Sequence, residues 1–495
     1  MVLLVYNSLF GEVLDRYIPV KPKYYFLIEY QALNSDSIPI FMLTQPYNFR
    51  DLKELSSDDK SFEFYDNYIL PGFGLKSKDT SRSSLSINLA PGMMGYKDEK
   101  YSEISKAIIL DGTIKLWDLN LVNRIKLDRS VKYDPEFHGD SQEWLMGYLE
   151  NSYMTINLPH NVELFAGRIG HNFGIPNDYG LILSNNPYNF DHFGFKTYGK
   201  SLQYSFYFTR LNDMSGKDSQ GRVIPIGETR NCHRYWSIQR LDWSITNNFQ
   251  VALSEATIYG GPQQDFVAAY LNPVNFFYAS QRNQGYQMSG LWDISMFYRP
   301  FKSLGLYLDL FADDLIVNNE PVDNAGTMPR EVYPDRLGIS SKLSYTDLIS
   351  DFSLTTLRYV RIWNDTYTTY RNFENYLFFN KSMGFPYNSY ESLKFTFTKF
   401  MLPASMLNLE IEGWRHSERK IADIFSGKKT KFPAGDVIYG TDISFSMRHL
   451  LFQNIDMEFD YSISFQSPSF KKTFKDPQIN NLFNIKIYYH FMESL

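Results

Sequence analysis

The chain holds one cysteine, Cys232, among 495 residues. A disulfide scaffold, a cysteine-based zinc site and an iron–sulfur cluster each need at least two thiols, so all three are excluded. No run approaches the roughly 18 consecutive apolar residues that a membrane-spanning helix requires. That leaves membrane strands open, because a β-barrel alternates its side chains and averages out as polar. Charge of one sign is also missing. The 49 basic and 55 acidic residues give a net charge of -6 and no electrostatic footprint for nucleic acid. The common catalytic signatures are absent too. There is no HExxH among the eight histidines, no phosphate-binding loop and no G-x-S-x-G elbow. No metal or cofactor is expected, and the chain reads as a non-enzyme.

What the sequence has is aromatic residues: 37 Tyr, 40 Phe and 7 Trp, 17% of the chain. Many sit in segments of period two, the mark of strands with one apolar and one polar face. Phe483, Ile485, Ile487, Tyr489 and Phe491 alternate with Asn484, Lys486, Tyr488 and His490. Ile455, Met457, Phe459, Tyr461 and Ile463 alternate with Asp456, Glu458, Asp460 and Ser462. Eighteen such strands are predicted, starting near 83, 106, 119, 145, 161, 191, 200, 234, 248, 289, 303, 335, 349, 391, 405, 437, 452 and 481.

Their connections alternate between tight and long. Tight ones include Trp117-Asp118, Tyr198-Gly199 and Thr346-Asp347-Leu348, and long ones include 91–105, 171–190, 259–288 and 362–390. Short turns at one end and long loops at the other define an all-β, antiparallel up-and-down transmembrane barrel of the bacterial outer membrane. Several strands put four or more large apolar groups on one side, a patch that lipid tolerates and water does not. The opposite face carries charges of both signs, among them Arg124, Asp242, Lys342, Lys394, Glu410, Glu412, Asp442 and Arg448. Mixed signs imply a salt-bridged interior and not a single-sign selectivity ring.

Residues 1–82 lack the alternation and form a small segment ahead of the barrel at 83–495. Pro46 to Leu55 is its predicted helix, with Thr44 or Gln45 near the cap and proline in the first turn. An even strand count puts both chain ends on the periplasmic side and the long loops outside. The apolar stretch Met1 to Gly11 is either the stump of a secretion signal or an ordinary first segment.

Two long loops interleave rings with polar groups. Residues 362–390 carry Trp363, Tyr367, Tyr370 and Arg371, and residues 259–288 carry Tyr259, Tyr278, Gln281 and Arg282. Flat rings stack on the apolar faces of sugars while amides and charged groups take the hydroxyls, so this mixture suits a polysaccharide. The competing reading is an aromatic-packed lid over the barrel mouth. Both loops are expected to serve one surface.

Several segments resemble the capsule-assembly Wzi family of outer-membrane proteins. They are Glu163 to Ser184 with its Gly-Arg strand, Arg234 to Tyr259, Gly260-Gly261, Tyr270-Leu271-Asn272-Pro273 and Phe311-Ala312-Asp313-Asp314, in that order, within roughly residues 45–345. The resemblance implies an eighteen-stranded barrel with a helical periplasmic element, acting as a lectin that holds capsular or other surface polysaccharide at the cell exterior. It places Arg168, Arg240, Glu255, Asn272, Pro273, Asp313 and Asp314 on the family's recurring positions, in architectural roles. The expected partners are that polysaccharide and outer-membrane lipid. The alternatives are a channel for sugars or other solutes and, second, an outer-membrane hydrolase with a Ser-His-acid site assembled across strands.

Overall fold

The computed structural model describes residues 16–48 apart from 21, residue 55, residues 83–96, 102–128, 147–215, 231–262, 264–284, 288–314, 335–401, 405–423, 430–452, 455–468 and 478–494, and positions 131, 137, 139 and 425. Eighteen long strands run through them. In order they are β1 (Ser83–Tyr96), β2 (Ser102–Leu116), β3 (Leu119–Leu127), β4 (Gly147–Leu158), β5 (Val162–Arg168) and β6 (Asp191–Tyr198). Then come β7 (Leu202–Arg210), β8 (Asn231–Thr246), β9 (Phe249–Pro262), β10 (Ser289–Phe301), β11 (Leu304–Asp314) and β12 (Arg336–Thr346). The last are β13 (Ser353–Ile362), β14 (Tyr390–Met401), β15 (Ser405–Ser417), β16 (Val437–Phe452), β17 (Ile455–Ser467) and β18 (Gln478–Ser494). Each pairs antiparallel with the next, and β1 pairs with β18 from Ser84 opposite Ser494 to Tyr96 opposite Leu482. The sheet therefore closes on itself as an up-and-down barrel, which leaves no edge strand unpaired.

Two strands begin four residues from their expected starts, the others within three. β2 begins at Ser102, because Pro91 and Gly92 do not end β1: Pro91 pairs with Lys106, and the ladder to β18 skips from Leu89 to Gly92. The long loop expected at 91–105 shrinks to 97–101, which lies outside the described residues. β13 begins at Ser353 because Asp347 closes the turn before it. Its backbone N–H donates to the Ser353 carbonyl (2.8 Å) and its carboxylate accepts from the Ser353 N–H (3.0 Å).

The helix of the N-terminal segment also differs from expectation. Helix α1 spans Pro22–Asn34, whereas at the predicted site Asn48 is extended and bridges Tyr17. Of the later residues of that predicted helix only Leu55 is described, helical and buried. In α1 Phe26, Leu27, Ile28, Ala32 and Leu33 are all buried, and so are Tyr25, Glu29 and Gln31. A helix enclosed on every side has no amphipathic period to announce it.

That enclosure comes from the barrel. Residues alternate around the wall between an apolar outer face, with Leu253, Leu357 and Leu393 at 49%, 46% and 53% exposure, and an inner face of mixed polarity. Helix α1 packs on inner-face residues of β9 to β15: Ala252, Phe297, Tyr307, Leu354, Phe400 and Met406. Its end lies against tight turns, since the Ser303 N–H donates to the Leu33 carbonyl (3.1 Å) and Asn34 accepts from Thr346 (2.9 Å). The segment before the barrel thus fills the lumen from the tight-turn end.

Buried charges fix it there. Glu29 accepts from Lys342 (2.9 Å) and Ser344 (2.7 Å), and Arg16 pairs with Asp111 (2.7 Å). Arg240 donates to the Leu43 carbonyl (2.9 Å), to Thr44 (2.8 Å) and to Ser254 (2.8 Å). A charge enclosed in this way is stable only with such partners around it. The mixed inner charges do pair, but with wall neighbours and with this segment.

Candidate functional site

Above the N-terminal segment, the long loops 169–190 and 363–389 close on each other inside the mouth. Ser184 donates its N–H to the Met383 carbonyl (2.7 Å) and its hydroxyl to the Gly384 carbonyl (2.6 Å). A Cβ on Gly384 would lie 2.2 Å from the Leu181 carbonyl oxygen, so the approach requires glycine. Arg234, fully buried on β8, clamps the second loop by donating to the carbonyls of Phe373 (2.7 Å), Asn375 (2.8 Å) and Leu377 (2.8 Å). Asp178 of the first loop receives Arg358 (2.9 Å) and Lys394 (2.5 Å) from the wall. Burial alone would raise its carboxyl, but the two cations more than offset that and hold it below its ordinary value.

This packing separates the predicted sugar-binding residues. Tyr367 is 1% exposed, with its hydroxyl donating to the Leu181 carbonyl (2.7 Å), so it presents no ring to a ligand. Tyr370 is 39% exposed against Phe425, and Arg371 pairs with Glu374 (3.2 Å). Trp363 is half-buried beneath the Arg361 guanidinium.

The other loop lies on the opposite side of the wall, and the expectation of one shared surface fails. Tyr259 faces outward on β9 and is 1% exposed, covered by Tyr235 and Tyr270. The covering segment includes a single helical turn, Ala268–Leu271, and helix α2, Phe277–Gln284. Glu255, also outward on β9, accepts from the N–H groups of Phe277 (3.1 Å) and Tyr278 (3.0 Å), which pins the N-terminus of α2 to the outer wall. Tyr278 packs edge-on against Trp292. Gln281 and Arg282 lie in α2, and their side chains are outside the described residues. The loop folds outward because its rings find an apolar wall of Phe206, Phe208 and Tyr235.

The remaining family-position residues make structural contacts. Arg168 forms a two-pronged pair with Asp191 (2.9 Å and 2.9 Å) across β5 and β6. Asn272 accepts from the Val274 N–H (3.1 Å), and the Pro273 carbonyl accepts from Tyr204. Asp313 accepts from the Tyr367 N–H (2.7 Å) and so orders the mouth loop. The backbone of Asp314 pairs with Arg336, and its side chain lies outside the described residues.

A different ring cluster is accessible. On the inner face at the long-loop end, Trp414 and His416 of β15 stack at 5.0 Å, His416 stacks on Tyr387 at 5.6 Å, and Tyr387 stacks on Tyr390 at 5.3 Å, all within 28° of parallel. Tyr387 is 51% exposed, Trp414 and His416 are half-buried, and Tyr390 is buried behind them. Carboxylates line the same wall. Glu412 accepts from the Tyr390 hydroxyl (3.0 Å), and Asp442 accepts from Trp414 Nε1 (2.8 Å) and from Ser464 (2.5 Å). Burial, then Asp442 and Glu412, raise the Tyr387 phenol, so it stays protonated and able to donate. Flat rings beside fixed acceptors are the elements of sugar recognition. The sequence carried a signal for this cluster: Trp414 and His416 share the parity of Glu410 and Glu412 on one strand.

Catalytic groupings are sparse. His171 and His192 meet at 2.8 Å, enclosed by Phe165 and Tyr207. Among the described residues no group of three His, Cys, Asp or Glu is arranged to hold a metal. Ser405 Oγ lies 2.6 Å from His449 Nδ1 on the outer face near the tight turns.

Comparison with known proteins agrees with this architecture. Residues 121–329 match the family model for capsule assembly protein Wzi. No curated protein sequence matches the chain. Among solved structures, Wzi from Escherichia coli, described as an outer membrane protein involved in group 1 capsule assembly and a carbohydrate-binding β-barrel, aligns with a TM-score of 0.63 at 10% identity, over 97% of this chain and 100% of that one. OccD3 and OprD of Pseudomonas aeruginosa align with TM-scores of 0.49 and 0.47, both at 10% identity, over 83% and 84% of this chain and 91% and 95% of theirs. In fold the chain is therefore similar to the Wzi barrel, and over residues 121–329 its sequence matches the family model for capsule assembly protein Wzi.

Proposed function

We propose that this protein is an outer-membrane barrel that binds a surface polysaccharide and holds it at the cell exterior, without catalysing a reaction. The observation that carries the reading is the accessible ladder Trp414–His416–Tyr387, backed by the buried ring of Tyr390, beside Glu412 and Asp442 and facing the lumen at the long-loop end. A glycan chain stacks its apolar sugar faces on these rings and donates hydroxyls to the carboxylates. The likeness to Wzi, itself described as carbohydrate-binding, supports the same role. In this reading the tight turns and the N-terminal segment lie on the periplasmic side and the long loops lie outside.

A solute channel is the competing function. The N-terminal segment and the two interlocked loops occupy the lumen along β3 to β14, which opposes free diffusion. Deleting the gene and comparing cell-attached with released polysaccharide tests the proposal. Release is the expected result, and unchanged attachment would refute it. Purified protein should also give almost no ionic conductance in planar bilayers, whereas steady open-channel conductance would establish the channel.

A further inference from the structure

We propose that the outer wall holds a site for one molecule of an acylated, phosphate-bearing lipid, seated over Gly413 near the long-loop end. A pocket of about 640 Å³ opens there between β13, β14, β15 and β16. Most of its lining, including Tyr359, Glu391, Leu393, Arg415 and Tyr439, faces away from the lumen, and the inward-facing strand positions between them, Trp414 included, complete it. Its floor is apolar and exists because position 413 has no side chain: a Cβ built there meets nothing within 4 Å. Leu393, 53% exposed, with Leu357 and Ile411 beside it, continues this floor toward the tight-turn end as part of the apolar outer face.

The rim is cationic. Arg415 reaches Glu391 at 2.7 Å through Nε, and Tyr359 donates to the same carboxylate at 2.5 Å. Arg361 stands 3.8 Å from Glu391, too far for a good hydrogen bond, and its buried Nε has no partner. Its guanidinium is held between Phe432 at 4.1 Å and Trp363 at 4.8 Å. Two arginines therefore share one carboxylate, and the less satisfied of them is fixed by rings above an apolar trough. An anion on an acyl chain complements both features, and phosphate suits the planar guanidinium fork best. Basic pockets beside membrane-facing surfaces take lipid headgroups on the same principle. The inference rests on the proposed membrane orientation, which puts this rim at the level of the outer headgroups.

The test uses the full chain in detergent, with binding read by native mass spectrometry and by titration. The probes are diphosphoryl lipid A, its dephosphorylated counterpart and inorganic phosphate. The phosphorylated lipid is expected to bind about thirtyfold more tightly than the dephosphorylated one, from two arginines near the headgroups at roughly 1 kcal/mol each. The Arg361→Gln/Arg415→Gln double variant should lose that preference, and Gly413→Leu, which fills the floor, should weaken both lipids. Equal lipid binding by wild type and both variants would overturn the site. Displacement of the lipid by millimolar inorganic phosphate would also overturn it, in favour of a free-anion site. Polysaccharide binding by the same variants should equal wild type, so failure of this site and failure of the polysaccharide reading are scored separately.

Discussion

Two arcs of one wall behave differently. Along β3 to β14 the inner face is sealed: Asp242, Asp293, Asp309, Lys342 and Arg358 are all at most 3% exposed, packed beneath the N-terminal segment and the interlocked loops. Along β15 to β18 the inner residues Met406, Arg448 and Asp456 near the tight turns are buried too, but farther along the strands Glu410, Glu412, Asp442, Glu458, Asp460 and Lys486 are only half-buried. Both arcs have the same alternation and similar polarity in sequence. The difference lies in what the described segments cover, since Arg16, Glu29 and Asp178 all deliver their charges to strands of the sealed arc or to β2. A barrel can therefore be filled for strength on one side and leave the other accessible for a ligand.

Breaking the sealed arc should have the largest effect. Arg234→Ala strands three buried carbonyls at roughly 1 kcal/mol or more each, so a loss of about 3 kcal/mol is expected. The readouts are thermal unfolding in detergent and faster proteolysis within 363–389. Unchanged protection of that loop would show that the clamp is not what holds it.

Asp178→Asn comes next, at about 3 kcal/mol or less, because Arg358 and Lys394 remain enclosed with one carboxylate gone. The wild-type carboxyl has a lower pKa folded than unfolded. Its stabilisation is thus complete above the ordinary value near 4 and lost as pH falls through the depressed folded value. The gap in melting temperature between wild type and variant should be full and constant above about pH 4 and close as pH falls below it. A gap independent of pH would contradict the ion-pair account.

Changes on the accessible arc should act on ligand and not on fold. Trp414→Ala is expected to weaken polysaccharide binding about tenfold, since a stacked ring contributes up to about 1.5 kcal/mol beyond its area. The smallest effect is expected from the double change Trp363→Ala/Tyr370→Ala, because Trp363 lies beneath Arg361 and Tyr370 against Phe425. A larger loss from this pair than from Trp414→Ala would move the glycan to the mouth loop.

The strands were legible because period two is a local property: each starts within four residues of its expected position, β2 and β13 being the farthest off. Helix α1 was hidden for the reason given by its burial, since Tyr25, Ile28 and Leu33 face different neighbours and leave no polar stripe. The ligand-facing residues were only partly legible. Composition marked Tyr367 and Tyr259 as sugar platforms, but rings bind the nearest apolar surface, and both found one within the protein. Strand parity already placed Trp414 beside Glu412. Only the fold showed that Tyr387, on another segment, completes their stack.

The central claim is that the accessible inner arc binds polysaccharide. Equilibrium binding of the cell's own surface polysaccharide to purified wild-type protein and to the Trp414→Ala/Tyr387→Ala variant tests it most directly. The account predicts a loss of about a hundredfold, from two rings at up to about 1.5 kcal/mol each, in a variant that melts close to the wild type. Equal affinity of the two folded proteins would contradict it.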